Sequence, residues 1–340
     1  MPRAPAARID LVRSGLARKG RRGQESEIPV MQWTARRALV ALALANLLWA
    51  GSYTAAKESL RVLSPVELNF LRFTIAGLFL LPFLWRGWRH TRLTRADVPR
   101  LALLCLCGFV LNKAAEFTGL NLTTASDTAL LIASESMWTA LLAWLVLHEA
   151  MHRGSVAGLA IGALGVYIVL ERGLNWPSLG SGRHLLGDGL VVVALLFEAL
   201  YTVFGKSSLD RYPALLITAT SILGSLVVWI PAAAINIAVA GLPSMNVAAW
   251  VGVFYMAIPC TVVGYIVWMV ALRYVGAASA AATLYLQPLA GTALAMLVLS
   301  ERPTWGTLAG GLCIIGGVWL ASRRPSAGVV AAVEAEALSG

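Results

Sequence analysis

The sequence has few charged residues: Asp, Glu, Lys and Arg together make up 13% of its 340 residues. A soluble domain carries about 25% of these residues, so the shortage excludes a soluble globular protein. The sequence is instead 58% hydrophobic, with a mean hydropathy of +0.74. These values predict an integral membrane protein.

Cysteine and phosphate-binding motifs are also scarce. The four cysteines, Cys105, Cys107, Cys260 and Cys313, lie in apolar runs without metal-ligand spacing, and buried cysteine is usually a small apolar filler. We therefore expect neither a disulfide nor a structural metal. No glycine-rich loop joins a strand to a helix, so ATP-driven transport by this chain alone is not expected, and the sequence predicts no cofactor.

Ten apolar runs are long enough to cross a bilayer as helices, which takes about 20 residues. They predict an all-α integral membrane protein with ten transmembrane helices, at residues 36–56, 65–85, 98–118, 125–146, 154–171, 185–205, 213–232, 247–270, 279–299 and 304–321. The loops between them leave no room for a soluble domain. Residues 1–35 lack apolar periodicity and are expected to be a disordered cytoplasmic tail; residues 323–340 form a second cytoplasmic tail.

The net charge of +10 is distributed unevenly. With the N-terminus inside, the cytoplasmic segments contain 20 of the 27 Lys and Arg residues, and the opposite side contains five. This excess follows the positive-inside rule and predicts that both termini are cytoplasmic. The basic charge therefore indicates topology and contact with lipid headgroups, and we expect no nucleic-acid partner.

The chain contains an internal repeat. A shift of 152 positions places Gly119–Leu170 on Ala271–Ser322 without a gap, and a shift of 149 relates the first span to the sixth more weakly. The protein is thus predicted to be two five-helix repeats, 36–171 and 185–322, joined by residues 172–184. Since five is odd, the second repeat is inverted relative to the first. Inverted repeats place a binding site near the membrane midplane and support alternating access.

Glycine recurs every four residues in the fifth and tenth spans, at Gly154, Gly158 and Gly162 and at Gly306 and Gly310. Small residues at this spacing allow two helix backbones to approach closely within a membrane. The pattern therefore predicts tight helix packing, and a homodimer face is a second interpretation.

Three stretches of sequence resemble a known family: "FLRFTIAGLFLLP", "ASDTALLIASESMWTALLAWLVLHE" and "ALRYVGAASAAATLYLQPLAGTALAMLVLSERPTWGTLAGGLCIIGGVWLAS". They resemble the EamA-type branch of the drug/metabolite transporter superfamily, and the resemblance covers residues 36–322. It implies a ten-helix inverted-repeat carrier of the bacterial inner membrane that moves small metabolites, amino acids among them, and often couples to protons. We favour export. Ser136 stands where the family usually has a proline, so the first half is expected to have a milder helix break than the second, which has Pro288.

Ionisable residues inside a membrane are costly and are functional candidates by default. Glu135 lies near the middle of the fourth span, and its repeat mate is Gln287, beside Pro288. The predicted substrate pocket is lined by Asn46, Trp49, Glu135, Trp138, Glu198, Tyr265, Tyr285 and Gln287, with Tyr201 as a further aromatic residue. A carboxylate there binds a substrate ammonium group or takes up the coupling proton if burial raises its pKa, and Glu135 is the candidate for proton coupling.

The alternative interpretation of these acidic residues is structural. Glu135 and Glu198 would then pair with basic residues, for which Arg72 and Lys113 are available. Lys113 and Glu116, three positions apart on a helix, can also pair with each other. We interpret Arg72, Lys113 and Glu116 as members of structural ion pairs.

A competing motif, His148-Glu149-Ala-Met-His152, fits the H-E-x-x-H pattern of zinc metalloproteases. The repeat explains its glutamate differently, because Glu301 occupies the same place without histidines. Both glutamates are expected to bond to the turn that follows them. No convincing third zinc ligand accompanies the motif, so no metal site is predicted. An intramembrane metalloprotease and a non-transporting sensor or scaffold remain the alternatives to a carrier.

Overall fold

The computed structural model describes residues 33–90, 94–147, 153–170, 182–275, 280 and 282–322. All of these except Trp33 belong to the unit Thr34–Gly340. Throughout this described part the chain is helical and has no strand. The motif His148–His152, residues 1–32 of the predicted first tail and residues 323–340 of the second lie outside it.

The helices, numbered along the chain, are α1 (Ala35–Ser59), α2 (Pro65–His90), α3 (Arg95–Leu122), α4 (Ala125–Leu147), α5 (Arg153–Leu170), α6 (Gly182–Ser208), α7 (Ala214–Ala240), α8 (Val247–Ala271), α9 (Leu286–Leu299) and α10 (Trp305–Ser322). Seven are long and apolar enough to cross a membrane, namely α1–α4 and α6–α8; α5, α9 and α10 contain shorter apolar stretches. The protein is therefore a multi-pass membrane protein. α7 continues eight residues beyond the predicted end at residue 232, because residues 233–240 are also apolar except for Asn236.

Two long helices contain a π-helical segment: α3 at Leu106–Leu111 and α8 at Met256–Gly264. The two segments occupy similar places in the third helix of each half. π-Helical turns are rare and occur frequently at functional sites. No proline lies in the first segment, so it had no marker in the sequence.

A 3₁₀ turn lies within α4, and another comes directly before α9. In α4 this turn is Ile132–Ser134, and Ala282–Tyr285 precedes α9. Pro288 itself lies in the first turn of α9, where a missing backbone N–H is tolerated. The break in the first half forms without a proline, so the residue at position 136 does not decide whether the helix is interrupted.

The contacts between helices form a pattern related by the repeat. α2 packs on α7, α4 on α9 and α5 on α10; α1 packs on α8 as α3 packs on α6, and α1 packs on α9 as α4 packs on α6. Exchanging the first five helices with the last five leaves this set of contacts unchanged.

The glycine spacing of α5 and α10 serves a contact within one chain. A Cβ atom built on Gly165 would lie 2.6 Å from the carbonyl oxygen of Gly310, and one built on Gly310 would lie 2.7 Å from that of Gly165. Likewise, a Cβ on Gly317 would lie 2.5 Å from the oxygen of Gly158. Only glycine permits this approach of two backbones.

Glu301 binds the start of α4. Its carboxylate accepts hydrogen bonds from the backbone N–H groups of Ala125 and Ser126, at 2.9 and 2.8 Å, and from the Ser126 hydroxyl at 2.7 Å. The expected bond to the following turn is therefore wrong for Glu301, because the unpaired N–H groups of a helix start in the other half are stronger partners. Its repeat mate Glu149 lies outside the described residues.

Candidate functional site

A small polar cavity lies between the helices of the two halves. Its walls come from α1, α2, α3, α4, α6, α8 and α9 with the turn before it, through Trp49, Ser52, Tyr53, Arg72, Asn112, Lys113, Glu116, Ile132, Glu135, Leu195, Glu198, Tyr265, Trp268, Leu284 and Gln287. The volume open to the centres of water-sized molecules is about 40 Å³. One water needs roughly 10–15 Å³ on this measure, so the cavity has room for a few waters and is too small for a larger metabolite in this conformation.

Ten of the lining residues form five repeat pairs. The 149 shift relates Trp49 to Glu198, and the 152 shift, extended toward the N-terminus, relates Lys113 to Tyr265, Glu116 to Trp268, Ile132 to Leu284 and Glu135 to Gln287. The two halves therefore build the cavity from corresponding positions.

Lys113 is the centre of a charged cluster. Its Nζ lies 2.5 Å from Glu116 Oε2 and 3.4 Å from Glu198 Oε2. Tyr265 donates its hydroxyl to the same Glu198 oxygen at 3.2 Å, and its ring centroid lies 5.7 Å from Lys113 Nζ. The predicted pair of Lys113 and Glu116 is present, and it faces the cavity as well as stabilising α3.

Glu135 lines the same cavity and is 5% exposed. It begins the α-helical stretch Glu135–Leu147, directly after the 3₁₀ turn of α4. Among the described residues, no lysine or arginine nitrogen lies within 4 Å of its carboxylate. With Arg72 and Lys113 positive and three glutamates negative, the cavity carries a formal excess of one negative charge when all five groups are ionised. The site can therefore accept a cationic group or a proton.

A chain of hydrogen bonds joins α1 to α9 beside the cavity. Tyr53 donates its hydroxyl to Gln287 Oε1 at 3.0 Å, and Gln287 Nε2 donates to Asn46 Oδ1 at 2.6 Å. Asn46 Nδ2 in turn donates to Leu42 O and to Thr283 Oγ1, both at 2.8 Å. These bonds fix the Gln287 amide in the wall of the cavity.

Aromatic rings form another part of the wall. Trp49 packs on Tyr265 and Trp268, with ring centroids 5.4 and 5.7 Å apart. Its indole N–H donates to Cys260 O at 2.8 Å, a carbonyl within the π-helical segment of α8. The altered hydrogen bonding of that segment thus anchors a ring of the site.

The structure places five of the eight predicted pocket residues in the cavity wall: Trp49, Glu135, Glu198, Tyr265 and Gln287. Asn46 lies behind the wall and accepts a hydrogen bond from the wall residue Gln287. Tyr285 belongs to the turn Ala282–Tyr285, but its side chain lies outside the described part of the structure.

Two predicted aromatic residues do not line the cavity. Trp138 packs against the hydrophobic cluster that contains Met137, because the cavity ends at Glu135 and the next turn of α4 enters the core. Tyr201 is fully buried behind the wall and packs on Phe109.

The prediction omitted several lining residues, namely Tyr53, Arg72, Asn112, Lys113, Glu116 and Trp268. The three charged ones had a signal, since a charge within a span is itself informative. The uncharged residues had none that separates a pocket wall from ordinary packing.

The motif His148–His152, the alternative zinc site, lies outside the described residues. Within the described residues no group of three or more His, Cys, Asp or Glu side chains is arranged to hold a metal ion.

The model of the EamA-like transporter family matches residues 36–171 and 185–323. An uncharacterized transporter of Archaeoglobus fulgidus is 32% identical over 83% of this chain and 96% of its own length. A probable terminal-alkyne amino-acid exporter of Streptantibioticus cattleyicolor is 28% identical over 85% and 94%. A probable amino-acid metabolite efflux pump of Salmonella typhimurium is 23% identical over 82% and 92%. The first two of these relatives are thus similar to this chain over nearly their whole length.

The fold is also found in a solved crystal structure. That chain is 19% identical and superposes with a TM-score of 0.62, covering 84% of this protein and 96% of its own length. At this identity the likeness shows a shared fold.

Proposed function

The chain belongs to the EamA-like transporter family, and we propose that it is a secondary transporter that exports a small metabolite across the bacterial inner membrane by alternating access. The observation that carries this proposal is the buried carboxylate of Glu135, which has no basic partner among the described residues, in a polar cavity built from corresponding positions of both halves. A carrier needs such polar groups at a site between its repeats.

In the proposed architecture, all ten helices cross the membrane as two inverted repeats, 36–171 and 185–322, with both termini in the cytoplasm. The exchange of helix contacts between the halves supports the repeat. The paired interruptions in α3 and α8 and in α4 and α9 support it as well. The excess of basic residues on one side supports the orientation.

Rocking of one half against the other opens the cavity first to one side of the membrane and then to the other. The small cavity volume is what a state between these two openings would have. Because the lining as a whole combines helices from both halves, their relative motion would change access without dismantling the site.

Glu135 is proposed to bind a cationic group of the substrate or the coupling proton. The surplus negative charge of the cavity favours either role. The printed names of two relatives describe exporters of amino acids or their metabolites, so we propose amino acids or related compounds as the substrate class. The rings of Trp49, Tyr265 and Trp268 suit a partly apolar substrate.

The test is metabolite flux with Glu135→Gln as the variant. Wild type and variant are expressed at equal membrane levels, and metabolites in cells and medium are quantified by untargeted mass spectrometry. We expect wild type to accelerate export of one compound class and Glu135→Gln to abolish the acceleration. The control is Glu58→Gln, since Glu58 pairs with the exposed Arg61 outside the cavity, and it should behave as wild type.

Two results would overturn parts of this proposal. Equal export by wild type and Glu135→Gln would remove Glu135 from the transport path. Metabolite levels indistinguishable between wild-type cells and cells without the protein would reject a carrier and favour the sensor interpretation.

A further inference from the structure

Arg72 is a buried cation that has no carboxylate partner among the residues the structure describes. The residue is 3% exposed and is the residue of α2 named in the described lining of the cavity. Its Nε donates to Thr261 Oγ1 at 2.6 Å. In the part of the chain that the structure describes, no carboxylate oxygen lies within 4 Å of its guanidinium group. The expectation that Arg72 belongs to a structural ion pair is therefore wrong for the described residues.

The surroundings of Arg72 hold the guanidinium group but use little of its hydrogen-bonding capacity. Its Cζ lies 5.3 Å from the ring centroids of both Phe73 and Phe117, a distance at which cation–π attraction operates. A guanidinium group has five N–H donors, and the bond to Thr261 uses the one on Nε. The terminal N–H groups have no hydrogen-bond partner among the described residues, and the side chain lines the cavity.

Thr261 fixes the orientation of Arg72. Its hydroxyl donates to Met256 O at 2.8 Å, a carbonyl five residues back in the π-helical segment of α8. Because the hydroxyl proton is used there, a lone pair of Thr261 Oγ1 is free to accept the Arg72 Nε–H. The edge of the guanidinium group formed by its two terminal nitrogens, on the other side of Cζ from Nε, is thereby left for a ligand.

Lys113 cannot supply the same function, since Glu116 and Glu198 already surround its ammonium group. The described cavity wall therefore contains one unpaired cation, Arg72, and one unpaired carboxylate, Glu135. A guanidinium group recognises a planar carboxylate through two parallel hydrogen bonds, which a lysine cannot do.

We propose that Arg72 is the anion-binding subsite of the cavity and that it holds the carboxylate of the transported molecule while Glu135 holds its cationic group. The proposal rests on the transport function proposed above and narrows its substrate to zwitterions. Arg72 acts in one half only, since the 149 shift that aligns Pro82 with Pro231 places it on Ser221, an uncharged buried residue.

The test uses proteoliposomes that contain the purified protein. They are loaded with the twenty protein amino acids or with the corresponding amino-acid amides, and the release of each compound is measured by mass spectrometry. Wild type should release at least one amino acid about tenfold or more faster than its amide, the ratio that loss of a charge-assisted hydrogen-bonded pair produces. Arg72→Gln should abolish this preference by slowing the acid alone, and Arg72→Lys should restore part of it.

Matched variants separate recognition from structure. Arg61→Gln removes an exposed arginine outside the cavity and should preserve the preference for acids. Thr261→Val should weaken the preference in the same direction as Arg72→Gln, whereas Thr261→Ser keeps the hydroxyl and should resemble wild type. If Arg72→Gln fails to fold, as judged by size-exclusion chromatography, the comparison of Arg72→Lys with the two Thr261 variants decides the question.

Equal release of acids and amides by wild type would overturn the proposal. An equal slowing of acid and amide in Arg72→Gln would do the same, because it would assign Arg72 a packing role. Export in the cellular assay of compounds that all lack a carboxylate would also reject it while leaving the carrier function intact. Release of no compound in either assay would instead reject the proposed transport function.

Discussion

Replacing Glu301 with alanine should destabilise the start of α4. The first N–H groups of a helix have no partner within the helix, and Glu301 binds those of Ala125 and Ser126, while Thr124 caps Asp127 at 3.0 Å. Charge-assisted hydrogen bonds contribute about 1.5–3 kcal/mol each, but bonds that share one carboxylate are not additive, so Glu301→Ala should cost about 3 kcal/mol. At roughly 2 °C per kcal/mol for a large domain, the melting temperature should fall by about 6 °C.

The assay is the thermal melting of purified protein in detergent. Glu301→Gln retains an acceptor oxygen without its charge and should lose about half as much stability as Glu301→Ala. Glu58→Ala is the control, since an exposed ion pair contributes about 1 kcal/mol or less. Wild-type melting of Glu301→Ala would refute the inference that this carboxylate holds α4. Equal losses for Gln and Ala would show that the carboxylate charge is essential to the contact.

Two further predictions concern packing and charge. Gly310→Val should lower the melting temperature and the yield of folded protein, because the valine side chain would collide with the backbone of Gly165. Gly316→Ala is the control, since nothing lies within 4 Å of the added Cβ atom, and it should melt as wild type does in the same assay. Lys113→Met should leave the carboxylates of Glu116 and Glu198 without their cation, at a cost of about 3–5 kcal/mol in stability. The Met variant should therefore lower metabolite export more than Lys113→Arg does. Unchanged melting and export in the Met variant would show that the cluster tolerates the loss of its cation.

The sequence predicted a helical membrane protein because hydropathy and the need to satisfy backbone groups in lipid leave few alternatives. The internal repeat relates Glu135 to Gln287 and predicts that they share one site, and both residues line the cavity. The glycine spacing in α5 and α10 likewise predicted a close contact between helices. These features were predictable because each depends on a periodic or duplicated pattern.

Other features depend on neighbours that are distant in sequence. The intramembrane charge of Arg72 was visible, but only the fold shows that Thr261, Phe73 and Phe117 surround it and that no described carboxylate does. The target of Glu301 was equally hidden, since the start of α4 lies more than half a chain away. A sequence pattern can identify an unusual residue such as a charge within a span, whereas the groups that this residue contacts are decided by tertiary packing.

The chemistry of the cavity arises from differences between two similar halves. In four of its five repeat pairs one member is charged and the other is not: Trp49 and Glu198, Lys113 and Tyr265, Glu116 and Trp268, and Glu135 and Gln287. If both members of these four pairs were charged, the pairs would contribute eight buried ions in place of four, each with its own desolvation cost. In the proposed carrier, similar backbones would support motion of one half against the other, while the differing side chains would let the site recognise a single substrate orientation. Arg72 fits this proposal, because its counterpart position Ser221 carries no charge, and the proposed site would therefore distinguish the two ends of a zwitterion.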